Sequence, residues 1–149
     1  MKVVIGSDHA GFKYKGIIIE MLLQQDYEVL DTGAFDEQPS DYPDQAANVA
    51  RALLSGAGQR GILICGSSVG VSIAANKFKG IRAGVCHDTY SAHQAVEHDD
   101  VNILCIGERV LGIELAKEIV TAFLKAKFTG EDRHLRRLAK ISALEDNRG

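Results

Sequence analysis

At 149 residues, 46% hydrophobic and 25% charged, the chain is sized for one globular domain over 1–149 with a substantial core. A formal net charge of -3 excludes a dedicated nucleic-acid binder, which needs basic surface to neutralise phosphates. No apolar run approaches the ~18 residues of a membrane span, and the run after Met1 is too short for a secretion signal, so no membrane partner and a cytoplasmic location are expected.

In chain order, Lys2 to Ser7 reads as a short apolar strand that breaks at Asp8-His9-Ala10-Gly11. Phe12 to Gln25 carries Ile17, Ile18, Met21 and Leu22 at helical spacing, wide enough to pack on a sheet. Tyr27 to Asp31 is a second strand. Thr32 to Pro43 holds both prolines and forms the longest loop, and loops of that length often carry function. Asp44 to Ser55 is an Ala-rich helix stopped by Gly56-Ala57-Gly58. The run from Gly61 to Cys65 is apolar and β-branched, as a strand buried on both faces requires, and a helix is expected from Val71 to Lys77. Ile81 to Cys86 is a fourth strand, Asp88 caps a helix through Glu97, and Asn102 to Gly107 is a fifth strand. Ile113 to Lys125 is a helix, and Asp132 to Asp146 is a last amphipathic one with Leu135, Leu138, Ile141 and Leu144 spaced by three.

Strands alternating with helices specify an α/β fold, a Rossmann-like three-layer α/β/α sandwich on a five-stranded parallel sheet with a C-terminal helix. Ligands in such sheets bind beyond the carboxyl ends of the strands. The residues there are Asp8 and His9, Cys65 to Gly70, His87 and Asp88, and Gly107 to Arg109, a titratable rim over an apolar sheet.

The loop Cys65-Gly66-Ser67-Ser68-Val69-Gly70 joins a strand to a helix, so several backbone N–H groups converge where an anion would sit. It matches neither G-x-x-x-x-G-K-[ST] nor G-x-G-x-x-G. A thiol beside a helix N-terminus is expected to shift toward thiolate. Cys65, Cys86 and Cys105 lie about twenty residues apart with no C-x-x-C pair, so neither a zinc site nor a disulfide framework is expected, and two of the three read as core filler. Asp8 and His9 with Cys65 suit proton transfer near neutral pH; the alternative is that Asp8 caps the first helix and His9 is a solvated loop residue. His93 and His98 are five apart, not the four of a helical metal pair, and His93 and His134 receive no role. Arg133 and Arg137 share one helical face, where guanidinium groups either grip phosphate or are simply solvated.

Several motifs together resemble the type B ribose-5-phosphate isomerases: Gly6-Ser7-Asp8-His9-Ala10-Gly11-Phe12, Asp41-Tyr42-Pro43, Gly61 to Ser67, Ala74-Ala75-Asn76-Lys77, Gly80-Ile81-Arg82-Ala83 and Glu97-His98-Asp99. The resemblance runs over essentially the whole chain. It implies interconversion of ribose 5-phosphate and ribulose 5-phosphate with no metal or cofactor. By position it implies Cys65 as the base moving a proton between C1 and C2, and the amides of Gly66, Ser67, Ser68, Val69 and Gly70 as donors to the enediolate. It also implies His98, with Ser67 nearby, as proton donor in ring opening and Asp8 on substrate hydroxyls. His9, Arg109, Arg133 and Arg137 fall to the phosphate or its approach. The site would be shared between subunits of a homodimer or tetramer, with His98, Asp99 and the arginines from a partner.

Two positions depart from the family. Ser68 stands where glycine is usual, which demands negative φ or a tolerated left-handed backbone. Asp99 stands where Asn is usual, and a carboxylate beside an anionic substrate needs protonation or a partner such as Arg133. The competing readings are a hexose-6-phosphate isomerase of allose or galactose type and a sugar-phosphate sensor that binds without turnover.

Overall fold

A computed structural model describes residues 1–147. The strands are β1 (Lys2–Ser7), β2 (Glu28–Asp31), β3 (Arg60–Cys65), β4 (Ala83–Val85) and β5 (Ile103–Gly107). They pair in parallel in the order β2-β1-β3-β5-β4. The helices are α1 (Phe12–Gln24), α2 (Tyr42–Leu54), α3 (Val69–Ala75), α4 (Thr89–Asp99), α5 (Ile113–Lys125) and α6 (Asp132–Asp146), with one 3-10 turn at His9–Gly11.

Alternation along the strands divides the core into two layers, because successive side chains leave opposite faces of a sheet. Ile5, Ile62, Ile64, Leu104 and Ile106 pack under α1, α4 and α5. Val4, Leu63, Cys65, Ile103 and Cys105 face α2 and α3. Both faces are therefore apolar, as all-parallel strands require. Each fully buried Ile or Leu contributes about 1.5–3 kcal/mol through apolar burial.

Several boundaries differ from the sequence reading, most by one residue, and helix α4 runs two residues past Glu97, to Asp99. Helix α2 begins at Tyr42 with Pro43 in its first turn, where a missing N–H leaves no helical bond unmade. Helix α3 begins at Val69, two residues early, directly from the Cys65 loop. Strand β4 is only three residues long. Ahead of it, the Arg82 amide donates to the Asn102 side chain at 2.8 Å rather than into the sheet. No helix among the described residues is long and apolar enough to cross a membrane.

The strand order reverses between β1 and β3, whose carboxyl ends lie side by side with Ser7 opposite Ile64. Gly11 lets the 3-10 turn close onto that junction, since a Cβ there would meet the Ile64 carbonyl oxygen at 2.4 Å. Asp8 and His9 are thereby pressed toward Cys65.

Candidate active site

A cleft of about 310 Å³ opens beyond the carboxyl ends of β1 and β3, walled by Asp8, His9, Tyr42, Cys65, Ser67 and Arg109. Gly66, Gly70, Ala10 and Val110 also line it. Cys65 is the last residue of β3, buried, with its sulfur on the α2/α3 side of the sheet. The Ser68 amide donates to Sγ at 2.9 Å. Ser68 itself is fully buried with φ of 71°, so it takes the left-handed option that an L-residue adopts at a cost. Its hydroxyl donates to the Ser67 carbonyl. Val69 donates its amide to Ser67 Oγ at 3.4 Å, while its side chain is exposed.

The expected shift of Cys65 toward thiolate is not what the folded chain shows. Burial raises the thiol above its ordinary range, and the Asp8 carboxylate adds to this, against the lowering effect of the Ser68, Ser67 and Val71 amides. A short helix and three amides are outweighed by desolvation of the charged form. Cys86 and Cys105 are also buried and free, and burial pushes Cys86 up to about 11.

Asp8 serves as a cap, its Oδ1 accepting from the Gly11 amide at 3.1 Å, and also lines the cleft. His9 is clamped to the long loop. Its backbone amide donates to Ser40 Oγ and the Ser40 amide donates to His9 Nδ1, each at 3.1 Å. With Nδ1 accepting, the neutral ring carries its proton on Nε2. The loop is held in turn by Lys15, 2% exposed, whose ammonium donates to Asp31 Oδ1 at 2.7 Å and to the Ala34 carbonyl.

Tyr42 is the cleft residue that sequence reasoning missed. Its ring lies over Gly70, where a Cβ would sit 2.7 Å from it. The only sequence signal was its place in the Asp41-Tyr42-Pro43 motif.

His98, Asp99, Arg133 and Arg137 are not brought to this cleft. Helix α4 returns from the carboxyl end of β4 to the amino end of β5, so its last turn lies at the opposite end of the sheet from Cys65. There the His98 ring stacks on His134, centroids 4.3 Å apart and planes 23° from parallel. Arg133 pairs with Glu131 at 2.9 Å, not with Asp99. Asp99 borders a separate groove with Arg82, Ile141 and Leu144. The α6 stripe is mostly exposed in this single chain, Leu144 at 66%, with Leu138 half-buried, and the one buried α6 residue is His134. Among the described residues no cluster of His, Cys, Asp and Glu could hold a metal ion.

A model of the family described as Ribose/Galactose Isomerase matches residues 3–141. The chain belongs to this family. It is 48% identical to the ribose-5-phosphate isomerase B of Escherichia coli, over 99% of this chain and 98% of the relative. It is 44% identical to a D-erythrulose-4-phosphate isomerase of Pectobacterium atrosepticum, over 87% and 86% respectively. Its structure superposes on that of ribose-5-phosphate isomerase B from Clostridium thermocellum with a TM-score of 0.98 at 48% identity, covering 100% of both chains.

Proposed function

We propose that the chain, a single sugar-phosphate isomerase domain over 1–149, interconverts D-ribose 5-phosphate and D-ribulose 5-phosphate through an enediolate, in the cytoplasm. The observation that carries this reading is the cleft that joins a buried thiol, converging loop amides, His9 and Arg109, in a chain whose relatives act on small sugar phosphates.

In the first step the furanose C1–O4 bond breaks. Its electron pair stays on O4, which takes the proton from His98, while the C1 hydroxyl loses its proton to solvent. Cys65 as thiolate then removes the C2 proton of the open aldose, and negative charge develops on the C1 oxygen. The amides of Gly66 to Gly70 meet that charge, and one such donor is typically worth about 3 kcal/mol of barrier. The proton returns from the Cys65 thiol to C1 while the C2 hydroxyl passes its proton to the C1 oxygen, which gives the ketose with its carbonyl at C2. Asp8 holds substrate hydroxyls. His9, through Nε2–H, and Arg109 take the phosphate, a bidentate partner for a guanidinium.

Since Cys65 and His98 lie at opposite ends of one sheet, a working site takes Cys65 from one subunit and His98, Asp99, Arg133 and Arg137 from another. The guanidinium groups of the partner subunit would then favour the Cys65 thiolate that burial opposes. The decisive experiment mixes Cys65→Ser and His98→Asn proteins. Each alone is inactive, and mixing restores up to about a quarter of wild-type activity if subunits exchange and sites are shared. No recovery after verified exchange contradicts sharing.

The D-erythrulose-4-phosphate isomerase relative supports a second substrate reading, a four-carbon phosphate in the same cleft. The ratio of kcat/KM for four-, five- and six-carbon phosphates decides it, since one carbon is discriminated by only about 1–3 kcal/mol.

A further inference from the structure

His134 is an unusual residue for its place. Helix α6 is otherwise exposed or half-buried, yet His134 is 1% exposed and its Nε2 has no hydrogen-bond partner. A buried polar atom without a partner is unfavourable, so packing alone favours an apolar side chain there. What the ring touches is His98, stacked at 4.3 Å. The segment leading into α6 is tied to α4 where the Thr129 amide and hydroxyl both donate to the Glu97 carbonyl, at 3.1 and 3.2 Å.

We propose that His134 is a positioning residue for ring opening: a flat, buried ring that fixes the plane of the His98 imidazole so that its proton points at the substrate ring oxygen. This rests on the assignment of His98 made above. Burial, helped by His98, Arg133 and Arg137 and opposed by Glu131, lowers the His134 pKa.

The chemistry of the two substrates separates ring opening from enolisation. Ribose 5-phosphate is a furanose closed through O4. Ribulose 5-phosphate has its C5 oxygen phosphorylated and its carbonyl at C2, so it forms no such ring. Entry of solvent deuterium at C1 of ribulose 5-phosphate therefore reads the Cys65 step without ring opening.

The test compares wild type, His134→Ala, His134→Phe and His98→Asn for ribose 5-phosphate conversion and for this exchange, with folding checked by circular dichroism. In His134→Ala, kcat for conversion falls about tenfold or more while exchange stays within about twofold of wild type. His134→Phe, which keeps a flat ring and fills the site, stays within about threefold in both. Equal loss of both activities in His134→Ala, no loss in either, or a Phe variant as impaired as Ala each overturns the positioning role. Loss of conversion in His98→Asn without loss in His134→Ala overturns that role alone. Unimpaired conversion in His98→Asn overturns the assignment of His98 on which it rests.

Discussion

The Ser68 amide donates to the Cys65 sulfur at 2.9 Å, from a residue held at φ of 71°. A side-chain-bearing residue thus sits where the backbone favours glycine, so that the loop can turn its N–H groups back on the thiol. Left-handed backbone costs an L-residue about 1–2 kcal/mol, which glycine avoids at some loss of unfolded-state order. Ser68→Gly relieves this strain but loses the hydroxyl bond to Ser67, so its stability is expected to stay within about 1 kcal/mol of wild type in urea unfolding. Ser68→Ala keeps the strain and loses the hydroxyl bond to Ser67, and is expected to destabilise by about 1 kcal/mol. A Gly variant less stable than the Ala variant contradicts this account of the loop.

The same loop is braced from β5. A Cβ on Gly107 would lie 2.8 Å from the Gly66 carbonyl oxygen and 3.0 Å from the Ser67 carbonyl carbon. Gly107→Ala must therefore displace the amides that meet the enediolate. We expect kcat to fall about 100-fold with a smaller change in KM, the signature of donors used in the transition state. Unchanged kcat in a folded Gly107→Ala protein would show that loop geometry is not limiting.

Much of the fold is legible in the sequence because it follows from period. Val4, Leu63 and Cys105 alternate with Val3, Ile64 and Ile106 across the sheet, and the same alternation puts the Cys65 sulfur on the α2/α3 side. The carboxyl-end rule for parallel sheets then placed Asp8, His9, Cys65 and Arg109 on one rim, and they share one cleft. What period does not carry is depth. The Cys65 thiol was expected to shift toward thiolate from helix proximity, yet burial decides its direction. Likewise the α6 leucines mark a helix face but not whether this chain covers it, and the buried residue there is His134, which the sequence left without a role.

All three thiols ionise less readily folded than unfolded, Cys86 at about 11. A raised folded pKa gives stability that is complete below the unfolded value of about 8.5 and is lost as pH rises through the folded value. The urea midpoint should therefore drop between pH 8 and pH 10. Cys105→Val, which keeps an apolar group of similar size, should show a smaller drop. An identical drop in both proteins would assign the effect to other groups.

Lys15 is almost fully buried and joins Asp31, 31% exposed, to the loop that carries Ser40. Its ammonium also sits 5.1 Å from the Phe35 ring centroid. Lys15→Met leaves Asp31 unpaired in a partly buried site. The expected cost is about 2–3 kcal/mol in urea unfolding, less than for a fully buried pair because Asp31 is partly hydrated. A cost below about 0.5 kcal/mol would mean that the ion pair does not hold the loop.

The central claim is tested most directly by supplying ribose 5-phosphate to the purified, metal-stripped protein and following ribulose 5-phosphate by NMR, beside Cys65→Ser. The account predicts turnover by the wild type and loss of about 100-fold or more in the variant. A wild type that leaves ribose 5-phosphate unchanged, or a Cys65→Ser protein as active as wild type, would contradict it.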